Sequence, residues 1–459
     1  MGRNGKEWLH FIGIGGTGMS GIAKVLLEKG YPVSGSDLVG SSTTRRLEQL
    51  GAVIFEGHHP SHIPEEVDVV VVSSAVPRDN SEVVAARARN IPVIQRAEML
   101  SRLMQYQKGI AVAGSHGKTT TTSMISLVLQ HNRLDPTIVV GGEINDIGGN
   151  AKLGRGEYLV AEADESDGSF LRLEPAIVVV TNIEDDHLDY YENLENIIAA
   201  FRQFVNKVPP GGTAIMCTDD PNVRRIMDSC SGRVITYGSV EPANYTTGDI
   251  QAEGRGTKAT VFYQGSPLGQ LTLQVPGKHN VLNALAAVAV AREVGLDFNE
   301  TAESLKSFRG VNRRFQLTGA AKGVEVIDDY AHHPTELKAT LAAARQSRPG
   351  QRIIAVFQPH RFSRTKFLWP EFGKAFRDAD LVVVGDIYPA GEKPIPGVSA
   401  ELIVDAIRAQ GQEVWHLPSR EEIVERLTTE AKAGDLVLTL GAGNIWIAGA
   451  ELVRRLQES

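Results

Sequence analysis

Short apolar runs alternate with amphipathic segments along almost the whole chain of 459 residues. This alternation is typical of parallel β-sheets whose strands are joined by crossover helices. In the first part of the chain the apolar runs predict five strands, which are LHFIGI, YPVSGSD, AVIFEG, VDVVVVSSA and IPVIQ. With helices between them, these strands predict a doubly wound, Rossmann-like unit. The polar stretch MQYQKG marks its end.

The same pattern restarts twice. The second block contains IAVAG, PTIVVGG, EYLVAEAD, AIVVVTNI and TAIMC, and then the more polar runs KATVFYQG and LTLQVPG, which predict antiparallel strands. After Arg314 a third block holds VEVIDDY, RIIAVFQ, DLVVVGD, EVWHL and DLVLTLG. The chain is too long for one ordinary domain. We therefore predict an α/β fold with three domains, at residues 1–107, 108–314 and 315–459.

Composition narrows the classes of protein that fit. The formal net charge is −8 and no basic domain stands out, which argues against a general nucleic-acid binder. The two cysteines, Cys217 and Cys230, have the spacing of neither a zinc site nor a disulfide framework. The apolar run VLNALAAVAVA is far shorter than the roughly twenty residues that cross a membrane. We predict a cytoplasmic protein that is not inserted in a membrane.

The stretch AVAGSHGKTTTT passes from an apolar strand through a glycine-rich turn into a helix. It lacks the first glycine of the full P-loop pattern, because Val112 stands there. What remains suits a phosphate: Gly117 lets backbone amides approach an anion, Lys118 supplies a positive charge and Thr119 offers a hydroxyl to Mg²⁺. We predict an ATP-phosphate loop over Gly114, Ser115, His116, Gly117, Lys118, Thr119 and Thr120. A plain strand-to-helix turn is the alternative.

Two acidic segments follow strands of the same block. Glu162 and Asp164 end the run EYLVAEAD, and an acid beside a phosphate loop commonly anchors a nucleotide-bound metal. Asp185, Asp186, His187 and Asp189 follow the run AIVVVTNI and predict a second Mg²⁺ or Mn²⁺ site. The alternatives are a solvated acidic turn and a capping histidine. The second block therefore has the side chains that Mg-ATP chemistry requires.

The first block carries its own glycine loop. Gly13, Gly15 and Gly18 form the pattern G-x-G-x-x-G after a strand, and Asp37 lies near the end of the next strand. This pattern is the dinucleotide fingerprint with its acidic residue. Backbone amides at a helix N-terminus hold a pyrophosphate, and a nucleotide sugar diphosphate satisfies that requirement as well as NAD does. Taken alone, the loop leaves both ligands open.

A set of motifs occurs in a fixed order and spans nearly the whole chain: GIGGTGMSGIA, GSHGKTTTT, AEADESD, TNIEDDHLDYY, GKHNVLNALAA, RRF, DDYAHHPTE, FQPHRFSRT and GAGNI. Together they resemble the Mur ligases of bacterial peptidoglycan synthesis. The resemblance implies a Rossmann-like N-terminal domain for a UDP sugar, a central P-loop-type ATPase domain, and a Rossmann-like C-terminal domain that closes over them.

The resemblance also implies roles for particular residues. Lys118 would grip the ATP phosphates, Arg314 would reach the transferred phosphate, and Asn280 and Asp329 would contact adenine and ribose. Thr119 and Glu162 would hold one Mg²⁺ and His187 a second. The UDP sugar would contact Gly15, Gly16, Thr17, Gly18, Met19, Asp37 and Ser73. The amino acid and the reacting carboxylate would contact Tyr330, His332, His360, Arg361 and Arg364. Catalysis would involve Lys118, His187, Arg314, His332 and His360.

One departure points to a branch of the family. Later Mur ligases carry a lysine some fourteen residues after the DH histidine, whereas this chain has AAFRQF, with Phe201 and Arg202. In lacking this lysine, the chain resembles the alanine-adding branch of the family. The implied activity is ATP-dependent joining of L-alanine to the lactyl carboxylate of UDP-N-acetylmuramate through an acyl phosphate, with ADP and phosphate released. In the second step the free amine attacks, and either His332 or His360 could help to remove its proton.

Three other functions would account for part of these motifs. An NAD oxidoreductase explains the glycine loop and Asp37 but gives no role to Lys118, Glu162 and His187. A nucleotide-dependent switch protein would need no small-molecule acceptor. The recycling ligase that joins a whole tripeptide to the same UDP sugar shares most of these motifs. The sequence does not choose between a monomer and a dimer.

Overall fold

The computed structural model describes residues 5–144 and 149–458, and within them three β-sheets. The first sheet has the strand order β3-β2-β1-β4-β5, and every neighbouring pair is parallel. Its strands are β1 (Leu9–Ile12), β2 (Val33–Asp37), β3 (Val53–Glu56), β4 (Val69–Val72) and β5 (Val93–Gln95). Its helices are α1 (Thr17–Glu28), α2 (Ser42–Gln49), α3 (Ser81–Ala88) and α4 (Arg96–Met104).

The direction of strand order reverses between β1 and β4. In open α/β sheets, ligands bind at the carboxyl ends of the strands at such a switch point. The glycine loop between β1 and α1 lies there, with Gly13 and Ile14 donating backbone hydrogen bonds to the carbonyl of Ser36 at the end of β2. The doubly wound layout of the first unit thus places this loop at the binding edge.

The middle sheet is larger and mixed. Its order is β15-β14-β13-β12-β11-β10-β6-β9-β7-β8. Its strands are β6 (Lys108–Ala113), β7 (Thr137–Ile144), β8 (Gly149–Lys152), β9 (Tyr158–Glu162), β10 (Ile177–Val180), β11 (Thr213–Cys217), β12 (Arg233–Tyr237), β13 (Tyr245–Glu253), β14 (Gly256–Tyr263) and β15 (Ser266–Leu273). The helices are α5 (Lys118–His131), α6 (Leu188–Tyr191), α7 (Leu194–Val205), α8 (Pro221–Arg224), α9 (Lys278–Glu293) and α10 (Phe298–Lys306).

The third sheet has the order β16-β17-β21-β18-β19-β20, and only the edge pair β16 and β17 is antiparallel among the described strands. Its strands are β16 (Gln316–Ala321), β17 (Val324–Asp329), β18 (Ile353–Phe357), β19 (Leu381–Val384), β20 (Val414–His416) and β21 (Leu436–Leu440). Its helices are α11 (Pro334–Ser347), α12 (Phe362–Gly373), α13 (Glu401–Ala409), α14 (Arg420–Glu430) and α15 (Trp446–Glu458). Short 3-10 turns occur at Pro60–His62, Ser169–Arg172 and Met227–Ser229.

Burial follows the apolar pattern. All four valines of β4 and the whole of β10 are buried, as expected for strands covered on both faces. In α9 every residue from Asn283 to Ala291 is buried, and the helix packs against α5. The predicted apolar helix is therefore a core element. None of the helices in the described parts of the chain has the length and apolar character needed to cross a membrane.

The predicted α/β architecture is confirmed, and so is the antiparallel pairing of β14 and β15. Four observed strands have no counterpart among the predictions: β8, β12, β13 and β16. Each is polar or half exposed, and β16 is an edge strand with four of its six residues exposed. Such strands lack the alternation that a buried face imposes, so their pattern resembles that of a loop.

Contacts between the units close a central cleft of about 1070 Å³. Asn150 on β8 donates to the carbonyl of Thr17 at the start of α1, at 2.6 Å. On the other side, Thr335 donates to Glu184 at 2.5 Å and joins α11 to the loop after β10. The cleft is lined by side chains of all three units, including Ser20, Thr119 and Tyr330.

Candidate active site

Three neighbouring strands bring the predicted nucleotide motifs to one edge of the middle sheet. β6 lies between β9 and β10, and all three run parallel. The phosphate loop leaves the end of β6, Glu162 ends β9, and the segment 181–187 follows β10. Because the carboxyl ends of parallel strands share one edge, motifs far apart in sequence form a single site.

The phosphate loop requires its glycines. Gly114 has φ +138° and Gly117 has φ +81°, in the region that side chains rarely adopt. A Cβ atom on Gly114 would lie 2.0 Å from Oγ1 of Thr181, and one on Gly117 would lie 2.7 Å from Oδ1 of Asn283. Gly117 caps α5 without any side-chain hydrogen bond. The first backbone N–H groups of α5 are therefore available to an anion.

The loop is held by residues that follow β10. The backbone N–H of His116 donates to Oδ1 of Asn182 at 2.8 Å, and Oγ1 of Thr181 donates to the carbonyl of His116 at 2.6 Å. These contacts fix the loop and occupy the amide of His116, so an anion would meet the first amides of α5. Asn182 stands in the segment TNIEDDH but is not among the residues predicted for the site.

Lys118 is paired within the site. Its Nζ donates to Oε1 of Glu165 at 2.7 Å and to the carbonyl of Gly114 at 2.6 Å. Burial alone would lower the pKa of Lys118, but the carboxylates of Glu165 and Asp164 raise it above its usual value. The lysine is thus a permanent cation that lies across the phosphate loop.

Glu162 and Thr119, the two residues predicted to hold one Mg²⁺, are neighbours in the structure. Oε2 of Glu162 accepts from the backbone of Gly141 at 3.0 Å, and the Thr119 side chain lies beside this carboxylate. Oε1 of Glu162 is buried without a hydrogen-bond partner, and burial raises the pKa of this carboxyl. An unpaired buried carboxylate oxygen beside a threonine hydroxyl is a donor set that suits Mg²⁺.

Two carboxylates of the acidic cluster after β10 pair with arginines of the third unit. Oδ1 of Asp186 accepts from Nη2 of Arg364 at 2.8 Å, and both side chains are buried. Asp189 faces Arg361 at 3.6 Å. Guanidinium groups of the third unit thus pair with these two carboxylates, and the second cation site at this cluster stays a prediction. His187, with φ +57°, lies beside Asp186, at 3.6 Å between Nε2 and Oδ2.

A second cavity of about 170 Å³ lies behind the phosphate loop. Asn280 lines it and donates from Nδ2 to the carbonyl of Pro276 at 2.7 Å. Asp329 lines it from the third unit, and burial raises the pKa of Asp329 to about 6. Asn283 is a neighbour that the sequence analysis missed; its spacing of three residues from Asn280 on one helix face is the signal that could have found it. The cavity wall also includes Thr120, Cys217, Tyr237, His279, Phe308 and Arg314.

Glu336 was also missed, yet it connects more of the site than any predicted residue. Oε1 faces Nδ1 of His116 at 3.3 Å and Nη1 of Arg314 at 3.5 Å. Oε2 faces Nδ1 of His332 at 3.2 Å and also accepts from the backbone of His332 and His333. Burial would raise the pKa of Glu336, but the charged His116 and Arg314 hold it well below its usual range. The available signal was the position of Glu336 three residues into a helix, where it forms a capping box.

His116, Glu184 and His333 lie close enough together to resemble a metal site. The charge balance argues otherwise. Burial lowers the pKa of His116, but Glu336 and Glu184 raise it to about 10, so His116 is itself a cation. A doubly protonated imidazole has no lone pair for a metal. The cluster is therefore an ion-pair network between the phosphate loop and α11.

The amino-acid residues predicted from the sequence come together in the third unit. Arg314 and Arg313 lie over the ring of Tyr330, with 5.2 and 4.9 Å to its centroid. The rings of His332 and His360 are 5.8 Å apart, and His360 stacks on Tyr388, a residue that the sequence analysis missed. Arg364 is buried, so FQPHRFSRT is not a surface turn.

The glycine loop of the first unit is shaped by two charged side chains. Oδ2 of Asp37 accepts from the backbone of Gly15 at 2.7 Å. A Cβ atom on Gly18 would lie 2.9 Å from Nη1 of Arg96, whose Nη2 donates to Oδ2 of Asp164 at 3.0 Å. Gly16 and Thr17 are exposed, whereas the side chain of Met19 packs in the core. Oγ of Ser73 accepts from the backbone of Ala75 at 3.2 Å.

The fold and this site define a ligase, and the chain belongs to the Mur ligase family. Family models match it in three places: the Mur ligase catalytic domain at residues 9–108, the Mur ligase middle domain at 112–291, and the Mur ligase glutamate ligase domain at 313–443. The chain is 58% identical to the UDP-N-acetylmuramate–L-alanine ligase of Pelotomaculum thermopropionicum, over 99% of this chain and 98% of that relative.

Solved structures are similar over the same span. The UDP-N-acetylmuramate-alanine ligase MurC of Thermotoga maritima has a TM-score of 0.83 and 33% identity, and the match covers 98% of this chain and 99% of that one. The murein peptide ligase of Psychrobacter arcticus has a TM-score of 0.72 and 26% identity, with 99% of each chain covered. The predicted family is confirmed.

Proposed function

We propose that the chain catalyses the ATP-dependent joining of L-alanine to the lactyl carboxylate of UDP-N-acetylmuramate in peptidoglycan precursor synthesis. The observation that carries this proposal is the full-length identity of 58% to a relative named for that reaction. The site supports it, because a phosphate loop, a metal-binding pair and a cleft shared by three units are what a ligase of this kind needs. The reaction would take place in the bacterial cytoplasm, and the chain would act as a monomer or a dimer.

Each of the three predicted domains would bind a different substrate or part of a substrate. The first, residues 1–107, would bind the UDP sugar at its glycine loop, including Ser73, with backbone amides directed at the diphosphate. The second, 108–314, would bind ATP between the phosphate loop and Asn280. The third, 315–459, would supply Asp329 for the ribose and the residues that position L-alanine. Each boundary falls between two of the observed sheets.

Thr119 and Glu162 would hold one Mg²⁺ and His187 a second, or Mn²⁺ in their place. The unpaired Oε1 of Glu162 supports the first position. A bound divalent cation would neutralise charge on the phosphates during transfer. Lys118 and Arg314 are protein cations in the same region, and Lys118 pairs with Glu165 at 2.7 Å.

The chain's own residues would act mainly by position and charge. The lactyl carboxylate attacks the γ-phosphate of ATP, which gives an acyl phosphate and ADP, and the L-alanine amine then attacks the acyl carbon and displaces phosphate. Arg361, 35% exposed, pairs with the half-exposed Asp189 at 3.6 Å and would turn to the alanine carboxylate, whereas Arg364 is held by the buried Asp186. Closure of the third unit would exclude water from the acyl phosphate.

The first test is release of ADP and phosphate with ATP, Mg²⁺ and UDP-N-acetylmuramate, comparing L-alanine with L-Ala-γ-D-Glu-meso-diaminopimelate and identifying the product by mass. We expect product with L-alanine alone. Activity only with the tripeptide would transfer the protein to the recycling branch, and activity with neither acceptor would refute the proposal. Lys118→Met is the matched negative variant: it should bind the UDP sugar as the wild type does and release no ADP.

A further inference from the structure

His332 and His360 of the third unit are both candidates to accept the proton of the attacking amine, and the sequence does not choose between them. The hydrogen bonds of the structure do, because they fix which ring nitrogen of each imidazole carries the proton. A proton acceptor needs an imidazole nitrogen with a free lone pair. The choice therefore depends on what contacts Nδ1 of His332 and Nδ1 of His360.

Nδ1 of His332 lies 2.9 Å from the carbonyl oxygen of Tyr330 and 3.2 Å from Oε2 of Glu336. Both partners only accept, so Nδ1 must carry the hydrogen. The lone pair of His332 is then on Nε2, which has no hydrogen-bond partner among the described residues. The ring retains 16% exposure, so a small molecule can reach it.

His360 has the opposite tautomer. Its Nδ1 lies 3.3 Å from Nη1 of Arg364, and a guanidinium only donates. Nδ1 therefore accepts and Nε2 carries the hydrogen. Such a ring offers a donor at Nε2, which suits a substrate carboxylate or a developing oxyanion and not an amine proton.

We propose that Nε2 of His332 accepts the proton of the attacking L-alanine amine, and that Glu336 is the positioning residue that holds His332 in this tautomer. The proposal rests on the proposed function. In the step, the amine nitrogen bonds to the acyl carbon, one N–H proton passes to Nε2, and the carbon–oxygen bond to phosphate breaks with its electron pair leaving on phosphate. His332 then returns its proton to solvent.

Three charged side chains surround the ring of His332. Glu336 on α11, Arg364 on α12 and Asp186 after β10 face the ring, and burial lowers the pKa of His332 to about 3. The ring is therefore neutral at the pH of an assay. The amine proton becomes acidic only as the carbon–nitrogen bond forms, so a weakly basic imidazole can accept it at that moment.

Glu336 also contacts residues outside the third unit's histidine pair. Its other oxygen faces His116 on the phosphate loop and Arg314. The carboxylate of Glu336 thus contacts His332, the proposed proton acceptor of amide formation. It also contacts His116 and Arg314, two cations near the site of phosphoryl transfer. Capping of α11 alone would not need these side-chain contacts.

Hydroxylamine separates the two steps, because it is largely unprotonated at neutral pH and captures an acyl phosphate as a hydroxamate without a base. The readout is the rate with saturating L-alanine divided by the rate of hydroxamate formation. For His332→Asn and Glu336→Gln we expect this ratio to fall, by about 10² to 10⁴ for His332→Asn. For His360→Asn we expect a higher KM for L-alanine with the ratio kept within about threefold, since its role is binding.

A wild-type ratio in His332→Asn would overturn the proposal, and so would an equal loss of both rates, which would mean a structural role. Hydroxamate formation by the variant shows that it is folded and makes acyl phosphate. If the wild type itself forms neither product, the failure lies in the proposed function.

Discussion

A single buried carboxylate in the first unit shows how the protein tolerates charge away from solvent. Glu82 is completely buried and accepts from Oγ of Ser36 at 2.6 Å, from the backbone of His59 at 3.1 Å, and faces Nδ1 of His62 at 3.1 Å. Burial would raise the pKa of Glu82, but the hydrogen bonds from His10 and Ser36 lower it below its usual value. The charged form is therefore the one that the fold stabilises.

A pH dependence of stability follows. Because the folded pKa of Glu82 is depressed, its contribution is complete above the unfolded pKa and is lost as the pH falls through the folded pKa. We expect Glu82→Gln to cost about 1–3 kcal/mol at pH 7, and the difference in Tm from the wild type to shrink on acidification below about pH 4.5. Thermal unfolding from pH 7 to pH 3 measures this. Glu303→Gln, at a side chain 76% exposed, is the control; a constant difference for Glu82→Gln would contradict the assignment.

At the level of elements, the turn from β6 into α5 is where backbone geometry and function meet. Gly117→Ala places a side chain at φ +81°, which costs about 1–2 kcal/mol, and brings its Cβ to 2.7 Å from Oδ1 of Asn283. We expect a lower Tm and weaker ATP binding by calorimetry, with UDP-sugar binding retained. Gly211→Ala is the matched control, since its Cβ would meet nothing within 4 Å. Unchanged ATP affinity in Gly117→Ala would show that the loop does not bind phosphate.

The same element shows what the sequence can predict. The strand, the glycine turn and the helix are specified by neighbouring residues. A stretch of a dozen residues therefore predicts β6, the start of α5 and the candidate roles of Gly117 and Lys118. The proximity of Thr119 and Glu162 can also be predicted, because a parallel sheet brings the ends of neighbouring strands to one edge. Local patterns do not show which unit a side chain meets: Asp186 pairs with Arg364, 178 residues away. Glu336 was missed because a capping glutamate is ordinary in sequence, and its other contacts exist only once two units meet.

At the scale of the whole molecule, the pair Asp186 and Arg364 holds the second and third units together. The two side chains are only 8% and 7% exposed, and they meet at 2.8 Å. Breaking a buried ion pair leaves an uncompensated charge that costs about 3–5 kcal/mol. A molecule of several units can avoid that cost without unfolding, because moving the third unit away exposes Asp186 to water.

We therefore expect Arg364→Met to open the molecule while each unit stays folded. Small-angle X-ray scattering without ligands should give a larger radius of gyration than for the wild type, with unchanged circular dichroism. Asp186→Asn combined with Arg364→Met removes both charges, so the double variant should recover compactness but not L-alanine-dependent turnover. Arg361→Met removes the half-exposed pair with Asp189 at 3.6 Å and should leave the radius unchanged, since exposed pairs contribute little. If Arg364→Met keeps the wild-type radius, the closed arrangement is maintained by the apolar and hydrogen-bonded contacts around Thr335, and the buried pair serves the site and not closure.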